Sequence, residues 1–483
     1  MPKQVYEQHL NSWIEDEKAA LELIAVVGKL WFDKSIELII FRNQMVDRSA
    51  SELLQLHHYA REVVRHPLTV HDTLGLAKAI YRNSIAPSRL DIGRIGVEWL
   101  DEKDAYPDEA AFISRKLKDF IGPDKINLQP KDVVLYGFGR IGRIAARELI
   151  SQAGKGQQLR LRAIVTRDKS PDDIVKRADL LRSDSVHGQF PGTVIPDVEQ
   201  KCIWVNGHRI DMISAATPEE IDYTAYGIEN ALLIDNTGVW RDRAGLGRHL
   251  QSKGVSKVLL TAPGKGDIPN VVHGVNNHNF DMDGENIWSA ASCTTNAILP
   301  VLSVIHRALG IEKGHVETVH SYTNDQNLLD NYHKKFRRGR AAALNLVITE
   351  TGAESAIAKV MPELAGKFTG NAIRVPTPNV SLAVLNLQVQ QAANKAAVNE
   401  IMRQAALKGD LVEQIQYSFS NELVSSDLVG NPTSSIFDSP ATIVSKDGKS
   451  VVLYVWYDNE YGYTRQVIRF AKQLAGVIRL RYY

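Results

Sequence analysis

KDVVLYGFGRIGRIAARELI, residues 131–150, combines a short apolar strand, a glycine-rich turn and an amphipathic helix. The turn carries Gly137, Gly139 and Gly142 in the spacing GxGxxG. Glycines at these positions let the backbone approach a pyrophosphate, which the free N–H groups of a helix N-terminus can bind. The spacing alone is weak evidence, and a plain strand-to-helix turn is the alternative. Its place between a strand and a helix predicts a dinucleotide-binding parallel sheet.

A second helix start, in ASCTTNAILP at 291–300, places a cysteine at the mouth of a predicted helix. Free N–H groups in the first turn favour the thiolate form of Cys293. A lone cysteine is more often inert packing. His320, however, ends an alternating, strand-like stretch, so its ring can meet the sulfur in space. We therefore predict that Cys293 is a nucleophile, and that His320 holds it ionised and then acts as a base.

Composition places few constraints on function but excludes several classes. The 483 residues are enough for about three domains. A net charge of +1 gives no global field for nucleic acid or an anionic membrane. The two cysteines, Cys202 and Cys293, lack the spacing of a zinc site or a disulfide framework. The cysteine spacing therefore predicts no metal site. With no signal pattern and no apolar run of about 20 residues, we expect a cytoplasmic protein.

One basic segment, KFRRGR at 335–340, has four cations in six residues. A nucleic-acid patch is one interpretation of such a run. Apart from Phe336, the segment has no interleaved aromatic residue, and it has no recognisable reading module. Anion binding is therefore the preferred interpretation, and nucleic acid is not an expected partner.

Residues 1–127 are predicted to form an all-α extension of unknown role. Apolar residues recur at helical offsets from Trp13 to Leu30, and Ser49 with Glu52 has the spacing of a capping box. No catalytic constellation occurs in this stretch. We interpret it as a helical module that packs against its own catalytic body or against a partner.

Four motifs, ASCTTN, TVHSYT, RVPTPNVS and WYDNEYGY, together resemble the phosphorylating glyceraldehyde-3-phosphate dehydrogenases over about residues 130–483. The resemblance implies an α/β architecture. It predicts a Rossmann-type parallel sheet domain at 128–292, completed by a C-terminal helix at 464–483. An α+β catalytic domain with a largely antiparallel sheet is expected at 293–463. A homo-oligomer, most simply a tetramer, is implied as well.

The resemblance also implies the cofactor and its site. NAD or NADP would bind in the crevice, with Asn459 holding the nicotinamide carboxamide and Tyr463 stacked nearby. The implied cofactor residues are Gly137, Gly139, Arg140, Ile141, Gly142, Thr166, Arg167, Thr237, Gly238, Thr261, Asn459 and Tyr463.

The end of the second strand, LRLRAIVTRD, departs from the family pattern. The position of the family's ribose-binding aspartate falls on Thr166, and Arg167 follows. A guanidinium in place of a carboxylate favours the 2′-phosphate of NADP. The alternative is an insertion in 151–159 that shifts the count and makes Asp168 the ribose acid. We predict that NADP is accepted.

Two phosphate sites are implied by motif match. Thr323 and Arg374 would hold the substrate phosphate, and Arg337 would be shared by both sites. TETGAESA departs from the family, because Ser355 replaces a lysine and Glu354 adds a negative charge. The residues implied for inorganic phosphate are Ser292, Thr294, Thr351 and Gly352.

The implied reaction oxidises glyceraldehyde 3-phosphate through a thioester on Cys293 and gives 1,3-bisphosphoglycerate. An erythrose-4-phosphate dehydrogenase is an alternative, because DQNLLDNYHKKFRR partly matches the pattern of that enzyme. A non-catalytic scaffold that binds partners through its helical extension is a second alternative. Retention of Cys293, His320, Arg374 and Asn459 argues against the scaffold.

Overall fold

The glycine-rich turn and the cysteine-bearing helix lie in one of the two units into which the chain folds. The first unit comprises Met1–Gln129, Gly154–Gln158 and Val477–Tyr483, and the second comprises Pro130–Ala153 and Leu159–Gly476. The structure is a computed structural model that describes residues 3–64, 66–122, 125–167, 170 and 172–483.

Helices dominate the N-terminal part of the first unit, as their periodicity predicts. The capping box expected before the second helix is confirmed, since Ser49 N donates to Glu52 Oε2 at 2.8 Å and Glu52 N donates to Ser49 Oγ at 3.3 Å. The helices are α1 (Lys3–Lys34), α2 (Ala50–Val64), α3 (Val70–Arg82), α4 (Ile92–Glu102) and α5 (Glu109–Lys116).

The extension also contains strands, so it is not all-α as expected. These are β1 (Glu37–Ile40), β2 (Asn43–Gln44) and β3 (Ser88–Asp91). Strand β1 pairs with β3 in parallel and with β2 in antiparallel fashion. All four residues of β1 are buried. A buried strand of this length has no polar–apolar alternation, and therefore gives no periodic signal in the sequence.

The predicted strand–turn–helix begins the larger sheet system of the second unit. Six parallel strands and two antiparallel edge strands follow the order β13-β12-β11-β4-β5-β10-β9-β8. The strand order changes direction at β4, and the carboxyl ends beside such a switch point form a ligand crevice. The strands are β4 (Lys131–Tyr136), β5 (Leu159–Thr166), β8 (Val194–Asp197), β9 (Cys202–Val205), β10 (His208–Ser214), β11 (Ala231–Asp235), β12 (Val255–Leu260) and β13 (Ile287–Ser289).

Helices accompany this sheet, which is the Rossmann-type sheet that the sequence predicted. Helix α6 follows the glycine turn directly and buries its apolar face. The remaining elements of this half are α6 (Arg140–Ser151), α7 (Asp172–Arg182), α8 (Arg243–Gly247) and a ribbon of β6 (Ser183–Asp184) and β7 (Gly188–Gln189).

The second half of this unit is built on a mixed, largely antiparallel sheet, again as predicted. Its order is β15-β16-β14-β17-β21-β19-β18, with β20 paired to β21. The strands are β14 (Ile311–Ser321), β15 (Val347–Thr349), β16 (Phe368–Val375), β17 (Ser381–Val389), β18 (Ile415–Ser418), β19 (Ser435–Asp438), β20 (Ile443–Val444) and β21 (Ser450–Tyr457). The helices are α9 (Cys293–Leu309), α10 (Ala353–Val360), α11 (Lys395–Leu407) and α12 (Tyr461–Leu474).

The closing helix packs on the Rossmann half, but it is shorter than the expected range 464–483. The α12 residues Tyr461 and Arg465 both bond the buried Glu148 of α6, the tyrosine hydroxyl at 3.0 Å. Helix α12 ends before Gly476, whose φ of 66° is a left-handed conformation that favours glycine. The chain then forms β22 (Leu480–Tyr482), which pairs in parallel with β3 of the first unit.

No helix in the described part of the chain is both long enough and apolar enough to cross a membrane.

Candidate active site

The start of α9 is held in a strained turn that places Cys293 at its first position. Ala291 has φ 55°, a left-handed conformation that is costly for a residue with a side chain. Two bonds fix it, because Ala291 N donates to Ser289 Oγ at 3.0 Å and the Tyr463 hydroxyl donates to Ala291 O at 3.0 Å. Ser292 caps the helix by accepting a bond from Thr295 N at 3.1 Å.

His320 meets the cysteine as the sequence predicted. It lies near the end of β14, and its Nε2 is 3.6 Å from Cys293 Sγ. The ring Nδ1 is 2.8 Å from the carbonyl oxygen of Ser321. Nδ1 also lies 3.0 Å from Arg374 Nη1, which can only donate, so the two contacts favour opposite tautomers. In the tautomer with the proton on Nδ1, donated to the Ser321 carbonyl, the Nε2 lone pair faces the sulfur. The geometry therefore suits a base that accepts a proton from the thiol.

The protonation state of Cys293 and His320 differs from the one expected from the sequence, in which the sulfur is ionised. Burial raises the pKa of the Cys293 thiol, although the neighbouring Arg374 acts in the opposite direction. Burial, helped by Arg374, lowers the pKa of His320 to about 3. At neutral pH the resting pair is thus a neutral thiol and a neutral imidazole. Removal from water penalises the charged form of both groups, and this outweighs the single nearby cation at the sulfur.

Arg374 reaches this pair because its strand lies beside that of the histidine. In the parallel pairing of β14 and β16, Arg374 is the register partner of His320. Its Nη1 donates to Ser321 O at 2.8 Å and to Thr323 Oγ1 at 3.3 Å. The guanidinium therefore sits beside the nucleophile with carbonyl and hydroxyl partners.

A cavity of about 580 Å³ opens over these residues. The N-termini of α9 and α10 both face it, and such termini attract anions. Glu354, expected near an anion site, is exposed and is not among the described lining residues. The predicted site residues that line the cavity are Cys293, His320, Ser292, Thr294, Thr351, Gly352 and Arg374.

Of the two adjacent arginines Arg337 and Arg338, the one that lines the cavity is Arg338, whereas the motif match implied Arg337. Arg337 is exposed, and Arg338 lines the cavity. Arg338 pairs with Asp325, and its Nε donates to Thr349 Oγ1 at 3.2 Å. The two arginines are adjacent in a short turn, so no spacing in the sequence distinguishes the inward side chain from the outward one.

The glycine turn fits a dinucleotide pyrophosphate. Gly137 has φ 94°, and a Cβ there would lie 2.9 Å from Thr237 Cγ2. A Cβ on Gly142 would lie 2.4 Å from Gly137 O. A Cβ on Gly139, just before α6, would meet nothing within 4 Å, so the backbone is open to a ligand. Gly137 and Gly142 therefore shape the turn, and Gly139 leaves the helix N-terminus accessible.

Arg140 contributes to this turn differently from its neighbours. Its guanidinium bonds both carboxylate oxygens of Glu460, with Nε to Oε1 at 2.9 Å, and also pairs with Asp184. The donors of the Arg140 side chain are therefore occupied by contacts within the protein. What Arg140 and Ile141 offer a ligand is the backbone at the first turn of α6.

The end of β5 is only partly described. Thr166 is buried and ends the strand, and Arg167 is exposed beyond it. Asp168, the alternative ribose acid, lies outside the described residues.

The other cofactor residues of this half lie at the carboxyl ends of β11 and β12. Thr237 donates through both N and Oγ1 to Asp235 Oδ1, each at 2.7 Å. Thr261 Oγ1 donates to Asp235 O at 3.1 Å, and Gly238 has φ 63°. Asp235 thus fixes both loops at the edge of the crevice.

Asn459 is oriented by two serines that the sequence analysis did not single out. Its Oδ1 accepts from Ser321 Oγ at 2.8 Å and from Ser381 Oγ at 3.0 Å. With the amide oxygen engaged, the amide NH₂ is the end left for a ligand. Tyr463, expected to stack on the ring, is instead buried with its hydroxyl on Ala291 O.

Within the described residues, no group of three or more histidine, cysteine, aspartate or glutamate side chains is placed to hold a metal ion.

Comparison with protein families gives two matches, which lie largely within the second unit. Residues 131–243 match the model described as glyceraldehyde 3-phosphate dehydrogenase, NAD binding domain. Residues 292–459 match the model described as glyceraldehyde 3-phosphate dehydrogenase, C-terminal domain. The glycine turn lies in the first match, and Cys293, His320 and Asn459 lie in the second.

Curated relatives differ in how much of the chain they share. A glyceraldehyde-3-phosphate dehydrogenase-like protein of Pseudomonas aeruginosa is 48% identical over 94% of this chain and 98% of its own length. Glyceraldehyde-3-phosphate dehydrogenase 2 of Nostoc is 41% identical over 71% of this chain and 98% of its own. The chloroplastic A enzyme of Zea mays is 42% identical over 72% of this chain and 84% of its own. Most of the N-terminal extension is therefore shared with the Pseudomonas protein.

Proposed function

Because the chain belongs to the glyceraldehyde-3-phosphate dehydrogenase family, we propose that it oxidises glyceraldehyde 3-phosphate and phosphorylates the product to 1,3-bisphosphoglycerate, using NAD or NADP. The observation that carries this proposal is the 3.6 Å approach of Cys293 Sγ to His320 Nε2 beside Arg374. A nucleophile, a base and a cation within one anion-attracting cavity are what this chemistry requires.

The covalent steps follow from the neutral pair. His320 Nε2 takes the thiol proton as Cys293 Sγ adds to the aldehyde carbon, and it returns this proton to the new oxyanion, which gives a hemithioacetal. The developing oxyanion is stabilised by the Cys293 backbone N–H at the start of α9 and by the ring of His320. His320 accepts the hydroxyl proton again as the thioester forms and passes it to solvent, because its low pKa disfavours keeping it. Because its pKa is near 3, the imidazole is an available base throughout the neutral range.

The nicotinamide of the bound dinucleotide supplies the hydride acceptor. The chain positions that ring through the amide NH₂ of Asn459, whose oxygen Ser321 and Ser381 hold. The glycine turn and the first turn of α6 hold the pyrophosphate. Thr237, Gly238 and Thr261 form the edge of the crevice near the ring.

The cavity offers two phosphate sites for the substrate and for inorganic phosphate. Arg374 with Thr323 suits the substrate phosphate, and Arg338 takes the shared role first given to Arg337. Ser292, Thr294, Thr351 and Gly352 surround the place from which inorganic phosphate would attack the thioester. The two helix N-termini there favour a doubly charged anion.

A homotetramer belongs to the same proposal. The segment 327–348 exposes large apolar side chains, including Phe336 at 96% and Tyr332 at 89% of their full area. Contiguous apolar surface of this kind marks an interaction site in a soluble protein. Native mass measurement on the purified chain tests this, and a monomer at micromolar concentration would contradict it.

The activity is tested by a coupled set of assays on purified full-length protein. We expect reduction of the dinucleotide with glyceraldehyde 3-phosphate only when phosphate is present. Cys293→Ser should abolish this turnover and leave dinucleotide binding unchanged, because the sulfur lies beyond the crevice that holds the pyrophosphate. Cys202→Ser is the matched control, since the buried Cys202 lies outside the cavity. Turnover retained by Cys293→Ser would overturn the assignment.

Erythrose 4-phosphate should be assayed in parallel, because the segment DQNLLDNYHKKFRR partly matches the pattern of the erythrose-4-phosphate enzymes. A higher kcat/KM with that aldehyde, without dependence on phosphate, would favour the alternative function. Turnover of neither aldehyde with either dinucleotide would favour the non-catalytic scaffold.

A further inference from the structure

The cavity over Cys293 carries more positive charge than the proposed reaction uses. Among its described lining residues, six side chains are cationic and Glu350 is the acidic one. Like charges gathered around one cavity repel each other unless an anion or a carboxylate neutralises them. The six cations are Arg241, Lys265, Lys335, Arg338, Lys359 and Arg374.

Three of these cations are accounted for near the nucleophile. Arg338 pairs with Asp325. Lys335 Nζ lies 3.6 Å from Glu350 Oε2. Arg374 belongs to the substrate-phosphate site described above. Arg241, Lys265 and Lys359 remain, and we call these three the outer cluster.

The outer cluster is built on a tethered loop. Lys359 Nζ donates to Gly264 O at 3.2 Å, and Lys265 N donates to Arg241 O at 2.7 Å. The loop that carries Gly264 and Lys265 is itself held in place, because Gly264 N donates to Asn270 Oδ1 at 2.9 Å. Three cations from separate but bonded chain segments thus line the cavity, and no carboxylate ion pair links any of them to the described protein.

Helix α10 connects the outer cluster to the proposed inorganic phosphate site. Gly352 precedes its first turn, and Lys359 lies seven residues later, about 10 Å along a helix axis. Side chains lean toward the N-terminus of their helix, so the lysine reaches back along this wall. Ser355, four residues before Lys359, lines the cavity between them with a small hydroxyl side chain. Helix α10 thus lines the cavity from Gly352 to Lys359, with Ala353, Ser355 and Ala356 between them.

We propose that the outer cluster is an anion subsite contiguous with the inorganic phosphate site, and that the two together bind a ligand with two or three linked phosphoryl groups. The inner half of this site rests on the proposed function. One phosphoryl group occupies the place beside Thr351 and Gly352, and the rest of the chain extends along α10 to the three cations. Such a ligand competes with inorganic phosphate.

The test is a length series of simple anions measured by isothermal titration calorimetry on the full-length protein at fixed ionic strength. The probes are orthophosphate, pyrophosphate and tripolyphosphate. We expect the affinity to rise at least tenfold from orthophosphate to the better of the two longer anions. In Lys265→Ala/Lys359→Ala the affinity for the longer anions should fall about 10- to 100-fold, as expected for charge-assisted contacts, and that for orthophosphate less than threefold.

Two control variants separate a local contact from a general loss of charge. Lys408→Ala/Lys446→Ala removes two exposed lysines that do not line the cavity, and it should bind all three anions as the wild type does. Lys265→Arg/Lys359→Arg keeps the charge and should retain the preference for longer anions. Thr351→Ala should weaken binding of all three.

Equal affinity for all three anions in the wild type would overturn the subsite, as would an unchanged length preference in Lys265→Ala/Lys359→Ala. An equal loss for every anion in that variant would also overturn it, because the lysines would then act only through the overall field. Binding of the longer anions with the expected losses, in a protein that turns over no aldehyde, would support the subsite while the proposed function fails. Binding of none of the anions would overturn both.

Discussion

At the scale of single residues, the cation Arg374 acts on two buried neutral groups, Cys293 and His320. Arg374 opposes the effect of burial at Cys293 and adds to it at His320. A cation stabilises a thiolate and destabilises an imidazolium, so the same charge favours proton transfer away from sulfur and disfavours storage of that proton on the ring. The proton must therefore leave the pair as the reaction proceeds.

Alkylation of Cys293 should report this balance. Because burial raises its pKa, the thiol is mostly protonated at pH 7, and the alkylation rate should climb with pH past the ordinary thiol value of about 8.5. Arg374→Ala removes the opposing charge and should slow alkylation at pH 8 by about 3- to 10-fold, whereas Arg374→Lys should slow it less. Rates measured in a Cys202→Ser background isolate the site. A plateau below pH 7, or an unchanged profile in Arg374→Ala, would show that another group controls the sulfur.

Coenzyme choice also belongs to this scale. Thr166 carries no charge and Arg167 is exposed at the end of β5, so NADP should be accepted. A charge-assisted contact between Arg167 and the 2′-phosphate is worth about 1.5 to 3 kcal/mol, or about 10- to 100-fold in affinity. Arg167→Ala should weaken NADP binding by that factor and leave NAD binding unchanged. Thr166→Asp should shift preference toward NAD.

Fluorescence titration with both dinucleotides measures these affinities without requiring turnover. Rejection of NADP by the wild type, together with loss of NAD binding in Asp168→Ala, would make Asp168 the ribose acid. In that case an insertion in 151–159 displaces the ribose-binding position from Thr166 to Asp168.

At the scale of elements, the start of α9 is held by α12, which arrives from the far end of the sequence. Tyr463 supports the strained Ala291, and in the same helix Tyr461 and Arg465 contact α6. One helix thus braces both the nucleophile turn and the helix that follows the glycine turn. Movement of α12 would disturb chemistry and dinucleotide binding together.

Tyr463→Phe tests this bracing. The change leaves the Ala291 carbonyl without its buried donor, which should lower the free energy of unfolding by about 1 to 3 kcal/mol. Ala291→Gly relieves the positive φ and should recover part of that loss in the double variant, because glycine adopts this conformation without a steric penalty. Urea unfolding measures both the loss of unfolding free energy in Tyr463→Phe and its partial recovery in the double variant. If adding Ala291→Gly to the Tyr463→Phe variant destabilises it further, the turn is not strained in the way the structure indicates.

At the scale of the whole molecule, the extension is not a simple N-terminal addition. The first unit, which contains the extension, is built from three chain segments. The last of these segments supplies strand β22, which pairs with β3. Within this unit the buried Arg479 faces Glu37 at 3.5 Å and lies over the ring of Trp31, with its guanidinium carbon 4.6 Å from the centroid. The C-terminal residues are therefore part of the core of the first unit.

Truncation should reveal this dependence. Removal of residues 1–127 alone leaves Val477–Tyr483 without its sheet partners, and the exposed strand and apolar surface should lower solubility. Removal of 1–127 together with 477–483 should give the more soluble protein, with dinucleotide binding retained in the second unit. Soluble yield and dinucleotide titration of the two truncations measure the difference. Equal behaviour of both, or no dinucleotide binding in either, would contradict the division of the fold.

Features encoded within a short stretch of chain were determined by the sequence alone. The glycine turn, the capping box at Ser49 and the cysteine at a helix start each depend on a few neighbouring residues and the local backbone that they favour. The motif set was sufficient to indicate the Rossmann half, the antiparallel half and the pair Cys293 and His320. The local features follow from hydrogen bonding and periodicity within a few residues, whereas the two halves were indicated by the motif resemblance and the approach of His320 to Cys293 depends on the folded chain.

Tertiary structure decided the features that depend on contacts between distant segments. It selected Arg338 over its neighbour Arg337, because only packing determines which of two adjacent side chains faces a cavity. It added strands to the extension, because a short strand such as β1 is stabilised by partners from elsewhere in the chain. It made Cys293 and His320 neutral, because burial of both groups follows from the assembled fold and not from the helix start alone. The outer cluster belongs here too, since its three cations come from three separate segments that only the folded chain brings together.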